Sequence, residues 1–264
     1  GRVDHQPPRP AGSAEPAQWL IDRVDLWDHQ HWPTGMVGAG FGAYARLLHP
    51  LDDHPGPLTW ATVARANSRI LHPSAWWEKI KSSASSGRGR PGDPMRGDLN
   101  GWALKALCAI LARHTTTAQA CCFAVWEGWG WLHDHDSPAS TITAYYAPDG
   151  VIPDIQPPQP APAQWRLATS GPTFSLPGRR YHLFKGHIDA AVRIGHWVNE
   201  DFFIPQSPSF FWPADHTWCV ATEVDYDSTI IGGTRELIDQ LRTSEMIEVL
   251  QIPPDAPYED RLNA

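Results

Sequence analysis

The chain has no run of about 18 apolar residues, so no segment has the make-up of a membrane-spanning helix. Its 4 cysteines, Cys108, Cys121, Cys122 and Cys219, lie in apolar surroundings with no CxxC spacing and no paired histidine motif. Neighbours such as Cys121 and Cys122 point to opposite faces of a strand and cannot form an ordinary disulfide with each other. That usage fits reduced core thiols in an intracellular, cytoplasmic protein. The N-terminal stretch GRVDHQPPRPAGSAEP has no apolar centre of the kind a secretion signal carries. Lysine is scarce, confined to Lys79, Lys81, Lys105 and Lys185, and the net charge is -8. Without a basic excess the chain is a poor counterion displacer, which argues against general nucleic-acid binding.

Motifs of known chemistry are missing as well. The glycines Gly38, Gly40 and Gly42 do not follow the strand-GxGxxG-helix order of a dinucleotide site, and neither GxSxG nor HExxH occurs.

What is present is a chain of 264 residues with 42% hydrophobic and 19% charged residues, enough to bury a substantial core. The polar, proline-rich residues 1–16 are expected to be disordered or draped over the surface. Val37 to His49 reads as a strand with a glycine-rich approach. Thr59 is a natural N-cap for a helix through Trp60, Val63 and Ala64, and a second short helix follows Ser74. A basic, serine- and glycine-rich loop occupies about 82–97, with Lys79, Lys81, Arg88, Arg90 and Arg96 in or beside it. From Leu99 to Arg113, Leu99, Trp102, Ala103, Ala106, Leu107, Ile110 and Leu111 recur at helical spacing, and Asp98 is placed to cap them. Gln119 to Trp126 reads as a buried strand. Thr141 to Tyr146 is a candidate for a further strand or a hairpin return. Residues 148–164 are nearly all proline and small residues and form a surface crossing. The C-terminal half reads as strands through Tyr181, Trp218 and Met246, with a turn at Pro177 and Gly178. Gly232 and Gly233 are expected to break a strand before a helix through Leu237. The pattern predicts one α+β domain over 17–264, mainly an antiparallel sheet packed against several helices.

Candidate chemistry concentrates in two places. The 14 tryptophans exceed what a core needs, and Trp126, Trp129, Trp212 and Trp218, with Glu127, Arg179, Tyr181 and Asp215, are the candidate lining of a groove for a protein or small ligand. On a continued strand, Glu223 and Asp225 share a face with Asp227 close by. Three carboxylates so arranged repel, take up protons, bind a cation, or pair with Arg179, Arg180 or Arg46. Lesser candidates for a metal are His29 with His31, and His133 with His135.

Four segments, GFGAYARLLHPL from Gly40, CFAVWEGWG from Cys122, FSLPGRRYHLFKG from Phe174 and WPADHTWCVATEVDYDSTIIGG from Trp212, resemble those of a widespread group of uncharacterised bacterial proteins from high-GC genomes. The resemblance implies a stand-alone intracellular domain and transfers no catalytic residue. The reading that results is a non-catalytic binding protein, immunity-like or regulatory, which uses an aromatic and acidic groove and needs no cofactor. Its alternative is a divalent-metal hydrolase or phosphoesterase built on Glu223, Asp225 and Asp227.

Overall fold

A computed structural model describes residues 7–81, 92–133 and 162–263. Lys79, Lys81 and the end of the basic loop, residues 92–97, are therefore described, whereas Arg88, Arg90, His135, the candidate segment 141–146 and most of the proline-rich crossing lie outside the described residues. The strands are β1 (Arg9–Pro10), β2 (Ala43–Leu48), β3 (Cys121–Trp126), β4 (Thr173–Leu176), β5 (Arg179–Gly186), β6 (Gly195–Trp197), β7 (Phe203–Pro205), β8 (Phe210–Pro213), β9 (Cys219–Ala221), β10 (Ser228–Gly233) and β11 (Val249–Gln251). The helices are α1 (Gln18–Ile21), α2 (Trp32–Val37), α3 (Trp60–Ala66), α4 (Trp77–Ile80), α5 (Gly101–Leu111) and α6 (Arg235–Arg242).

The architecture is α+β. Nine strands form one antiparallel sheet in the order β1-β5-β3-β8-β9-β10-β2-β11, with β4 also paired to β5, and β6 and β7 form a separate hairpin. The central strands are apolar on both faces because both faces are covered. On β3, Cys121, Phe123 and Val125 join α5 and α6 in one core, and Cys122 and Ala124 join α1 and α2 in the other. A third cluster, Trp60, Ala64, Trp77 and Ile80, packs α3 and α4 against Leu48 at the end of β2.

Local signals in the sequence account for several of these boundaries. Thr59 closes a capping box on α3, its hydroxyl accepting from the Thr62 amide at 3.2 Å while the Thr62 hydroxyl accepts from the Thr59 amide at 2.9 Å. Thr234 caps α6 with its hydroxyl alone, accepting from the Leu237 amide. Other expectations change. Residues Arg9–Pro10 of the N-terminal segment pair with β5, opposite Lys185 and Phe184. The Val37–His49 stretch contributes the end of α2 and only then β2. Asp98 does not cap α5: the helix starts at Gly101, and the Asp98 carboxylate instead accepts from the Ser207 amide at 2.6 Å. Gly232 and Gly233 do not break β10, which runs through both. A Cβ at Gly232 would stand 2.4 Å from the Phe41 ring, and one at Gly233 would stand 2.6 Å from Leu237. The glycines are there for close approach of neighbours.

Among the described residues, Arg46 of β2 is a deeply buried charge, only 1% exposed. Its guanidinium lies over Trp32 and Trp60, with 5.1 and 5.4 Å to the ring centroids. It donates to the Ser228 hydroxyl (2.9 Å), to the Pro73 and Ala75 carbonyls (3.0 and 2.7 Å) and to Asp227 (3.4 Å). Burial works against both charges of the Arg46–Asp227 pair, lowering the Arg46 pKa and raising that of Asp227, and their mutual attraction offsets this only in part. Nearby, buried His49 donates from Nδ1 to the Met95 carbonyl at 2.6 Å and accepts at Nε2 from Thr229 at 3.0 Å. A carbonyl only accepts, so Nδ1 carries a proton, and burial, which pushes the pKa down to about 4, leaves the imidazole neutral at pH 7 with Nε2 as acceptor.

Two predictions follow from these buried groups. Arg46→Met strands the Asp227 carboxylate and two carbonyls in the interior, and should cost about 3–5 kcal/mol in urea unfolding; a loss within error of zero would refute the central role given to Arg46. For His49, the unfolded chain takes up a proton near pH 6.5 that the folded chain refuses until about pH 4. Stability from this group is therefore full above pH 6.5 and falls by about 3 kcal/mol as the pH drops through that window. Asp98, pushed up to about 6 by burial, has the opposite slope between its ordinary 3.8 and 6, because its folded form takes up the proton first. Unfolding of Asp98→Asn protein should thus show the acid loss that the wild type masks, and His49→Gln should abolish it.

Candidate functional site

At one end of β3, β4 and β5 the described chain leaves an open cleft of about 1060 Å³, walled by Trp126, Glu127 and Gly128 on one side and by the β4–β5 hairpin on the other. The hairpin turns at Pro177 and Gly178, where Gly178 adopts φ +76°, a left-handed conformation that favours glycine. Pairing sets Trp126 opposite Tyr181 and Val125 opposite His182, and the Glu127 amide donates to the Arg180 carbonyl at 2.9 Å. Alternation along β5 sends Tyr181 and Leu183 into the core, and leaves Arg180 and His182 on the other face. Glycine is required at position 128, where a Cβ would stand 2.1 Å from the Trp126 ring.

Electrostatics in the cleft are organised by two consecutive arginines. Arg179 lies 5.4 Å from the Trp126 ring centroid, donates from Nε to Glu223 at 3.1 Å and from Nη2 to Asp225 at 2.9 Å. Arg180 donates from Nε to Glu127, and this hydrogen bond holds the Glu127 carboxyl below the usual carboxylate range. His133 donates from Nε2 to the Glu127 carbonyl at 2.8 Å. His182 is 7% exposed, yet its imidazole has no hydrogen-bond partner among the described residues, and its Nδ1 is fully buried. Burial pushes its pKa down, against the pull of Glu127. An unpaired buried polar group of this kind costs about 1–3 kcal/mol.

Of the residues expected to bind a ligand, Trp126, Glu127 and Arg179 meet in this cleft. Trp129 stands behind it, edge-on to Trp126 at 5.5 Å. The others do not line it. Tyr181 is buried between Phe174 and Phe210, with ring centroids at 5.4 Å from each. Trp212 is wholly buried and edge-on to Trp19 at 5.7 Å. Trp218 is wholly buried, and its indole N–H reaches the Leu111 carbonyl at 3.2 Å, satisfying the last residue of α5. Rings this large go inside because two covered sheet faces give them somewhere to go. Asp215 tethers the loop after α5: its carboxylate accepts from the Thr115 hydroxyl, the Thr116 amide and hydroxyl, and Thr217. Burial raises its pKa, but these bonds outweigh burial and hold it well below the carboxylate range.

The carboxylate cluster is divided. β9 ends at Ala221 and the chain turns, so Glu223, Asp225 and Asp227 do not alternate along one strand. Glu223 and the exposed Asp225 brace Arg179, and Asp227 pairs with Arg46. Two cations take up the three charges that a metal was expected to hold. Among the described residues, no group of three or more His, Cys, Asp or Glu is placed to hold a metal ion. His29 and His31 lie in a turn, not a strand; His31 pairs with Asp28 at 3.0 Å, and His29 meets the Tyr226 hydroxyl at 3.4 Å.

The sequence reading passed over His182 and Ser175, and named Arg180 only as a possible partner for the acids at Glu223 to Asp227. The signal was in RRYHLFKG, whose polar members Arg180 and His182 alternate with apolar Tyr181 and Leu183.

Arg179→Met should destabilise the fold by about 2 kcal/mol, because it leaves the buried Glu223 carboxylate without its cation. Arg180→Met, at an exposed pair, should leave the unfolding midpoint unchanged; equal losses in the two variants would contradict the division of labour described above. Among the described residues no helix is long and apolar enough to cross a membrane. No family model, curated protein or solved structure matches the chain, so the site stands on its geometry.

Proposed function

We infer that the chain is an intracellular, non-catalytic binding protein for a small ligand, and that the ligand occupies the cleft between Trp126–Gly128 and the β4–β5 hairpin. The observation that carries this reading is His182. Its imidazole lines the cleft with Nδ1 buried out of reach and with no partner for Nε2 among the described residues, so Nε2 retains hydrogen-bonding capacity that a bound molecule would satisfy. The cleft also matches in size the concave sites that enclose small molecules.

The non-catalytic part of the reading is supported by the state of the reactive groups. Burial pushes every thiol away from the nucleophilic thiolate, Cys122 to about 11 and Cys121 to about 12, with Cys108 and Cys219 raised further. Glu127 is held ionised by Arg180 rather than poised as a proton donor. All four cysteines are buried and free, as suits a reducing compartment. The metal-hydrolase alternative finds no such support, since its three carboxylates are engaged by Arg179 and Arg46.

The expected outcome of screening a small-molecule fragment library against the full chain by two-dimensional amide NMR is a set of hits. Their shifts should centre on Trp126–Gly128 and Arg179–His182 and vanish in Ser175→Trp, which fills the cleft. A library that moves no cleft amide would overturn the reading.

A further inference from the structure

The charge balance of the cleft restricts what can enter it. Its two guanidiniums, Arg179 and Arg180, are answered by Glu127, Glu223 and Asp225. An anion approaching Arg180 meets the Glu127 carboxylate already seated on it. A cation approaching Glu127 meets the guanidinium. In either case part of the attraction is cancelled by a fixed like charge in the same place. A neutral molecule escapes both penalties.

The polar groups nevertheless have unused valence. Among the described residues, Arg180 uses only Nε, so both of its terminal nitrogens keep their N–H donors, and Glu127 takes Arg180 on Oε2 alone, so Oε1 keeps its lone pairs. A donor fork and an acceptor oxygen thus sit side by side, linked by their own ion pair. His182 lines the same cleft and offers it one further polar atom, Nε2, since its Nδ1 is enclosed. The hydroxyl-bearing Ser175 and Thr169 also line the cleft, as does His133, whose Nε2 is taken by the Glu127 carbonyl. The chemical group that donates and accepts at one atom is a hydroxyl, and two adjacent hydroxyls span a guanidinium and a carboxylate in a single contact. Hydrogen bonds to charged partners are the strong ones, so a neutral ligand gains from the ion pair without breaking it.

Resting on the reading of the cleft as a ligand site, we propose that its ligand is a neutral polyhydroxylated molecule, a carbohydrate, held by Arg180 and Glu127 through a vicinal pair of hydroxyls and by His182 through a third polar contact. The test uses the full chain and defined probes at equal ionic strength. The sugars are maltose, cellobiose, galactose, mannose and xylose; the anions are benzoate and inorganic phosphate; the cation is benzylammonium. Isothermal titration and amide NMR should show at least one sugar shifting Trp126–Gly128 and Arg179–His182. Its affinity should fall by about tenfold or more in His182→Phe, and again in Arg180→Met, as expected for the loss of hydrogen bonds to buried or charged groups. Arg180 is 57% exposed in its side chain, so that variant keeps the test decisive if His182→Phe fails to fold. Cleft shifts from benzoate, phosphate or benzylammonium with none from any sugar would overturn the carbohydrate assignment while leaving the cleft a binding site. Silence from every probe, or sugar binding indifferent to both variants, would overturn it as well; whether the cleft binds anything at all is decided separately by the fragment screen.

Discussion

A single guanidinium in the interior constrains much of this molecule. Arg46 belongs to β2, but its partners come from β10, from the turn that carries Pro73 and Ala75, and from two tryptophans on different helices. Burying such a charge is unfavourable unless its donors are met, and here they are met by groups that only the finished fold brings together. Trp32 of α2 and Trp60 of α3 gain from the same ion, since a desolvated cation over an aromatic face is attracted to it. The sheet edge, the covering helices and the α3–α4 cluster are thereby tied to one geometry.

The same pairing logic sets the electrostatics of the cleft. Acids clustered in sequence within Glu223–Asp227 are separated in space because each finds an arginine from another strand: Arg179 from β5 for the first two, Arg46 from β2 for the last. Arg179, held from below by Glu223 and stacked over Trp126, becomes a rigid wall. Arg180, its neighbour on the opposite face, remains accessible. Two adjacent arginines thus serve different ends, one structural and one available to a ligand.

Much of the architecture was legible where the signal is local. The apolar run of β3, the helical spacing of α5 and the threonine cap at Thr59 each act within a few residues, and each appears as expected. The site was legible in part, because Trp126, Glu127 and Arg179 were singled out by their chemistry. What could not be read depends on register and on turns between strands. Whether Trp218 lines a groove or reaches the Leu111 carbonyl is decided by which face of β9 meets α5, and the division of the acids is decided by the chain's turn after Ala221. The strand through Gly232 and Gly233 was misjudged because the reason for those glycines, Phe41 and Leu237, lies elsewhere in the chain.

Proline marks both margins of the large sheet. β1 contributes Pro10 beside β5, and β11 is followed, after Ile252, whose amide still donates to the Tyr44 carbonyl, by Pro253 and Pro254. A residue without an amide hydrogen cannot extend a ladder, so a passing strand finds only short stretches of unpaired backbone at either border. The 26 prolines, which in the bare sequence look like a bias of composition, include some that limit how far the sheet can spread and so guard against the self-adhesion to which open β-structure is prone.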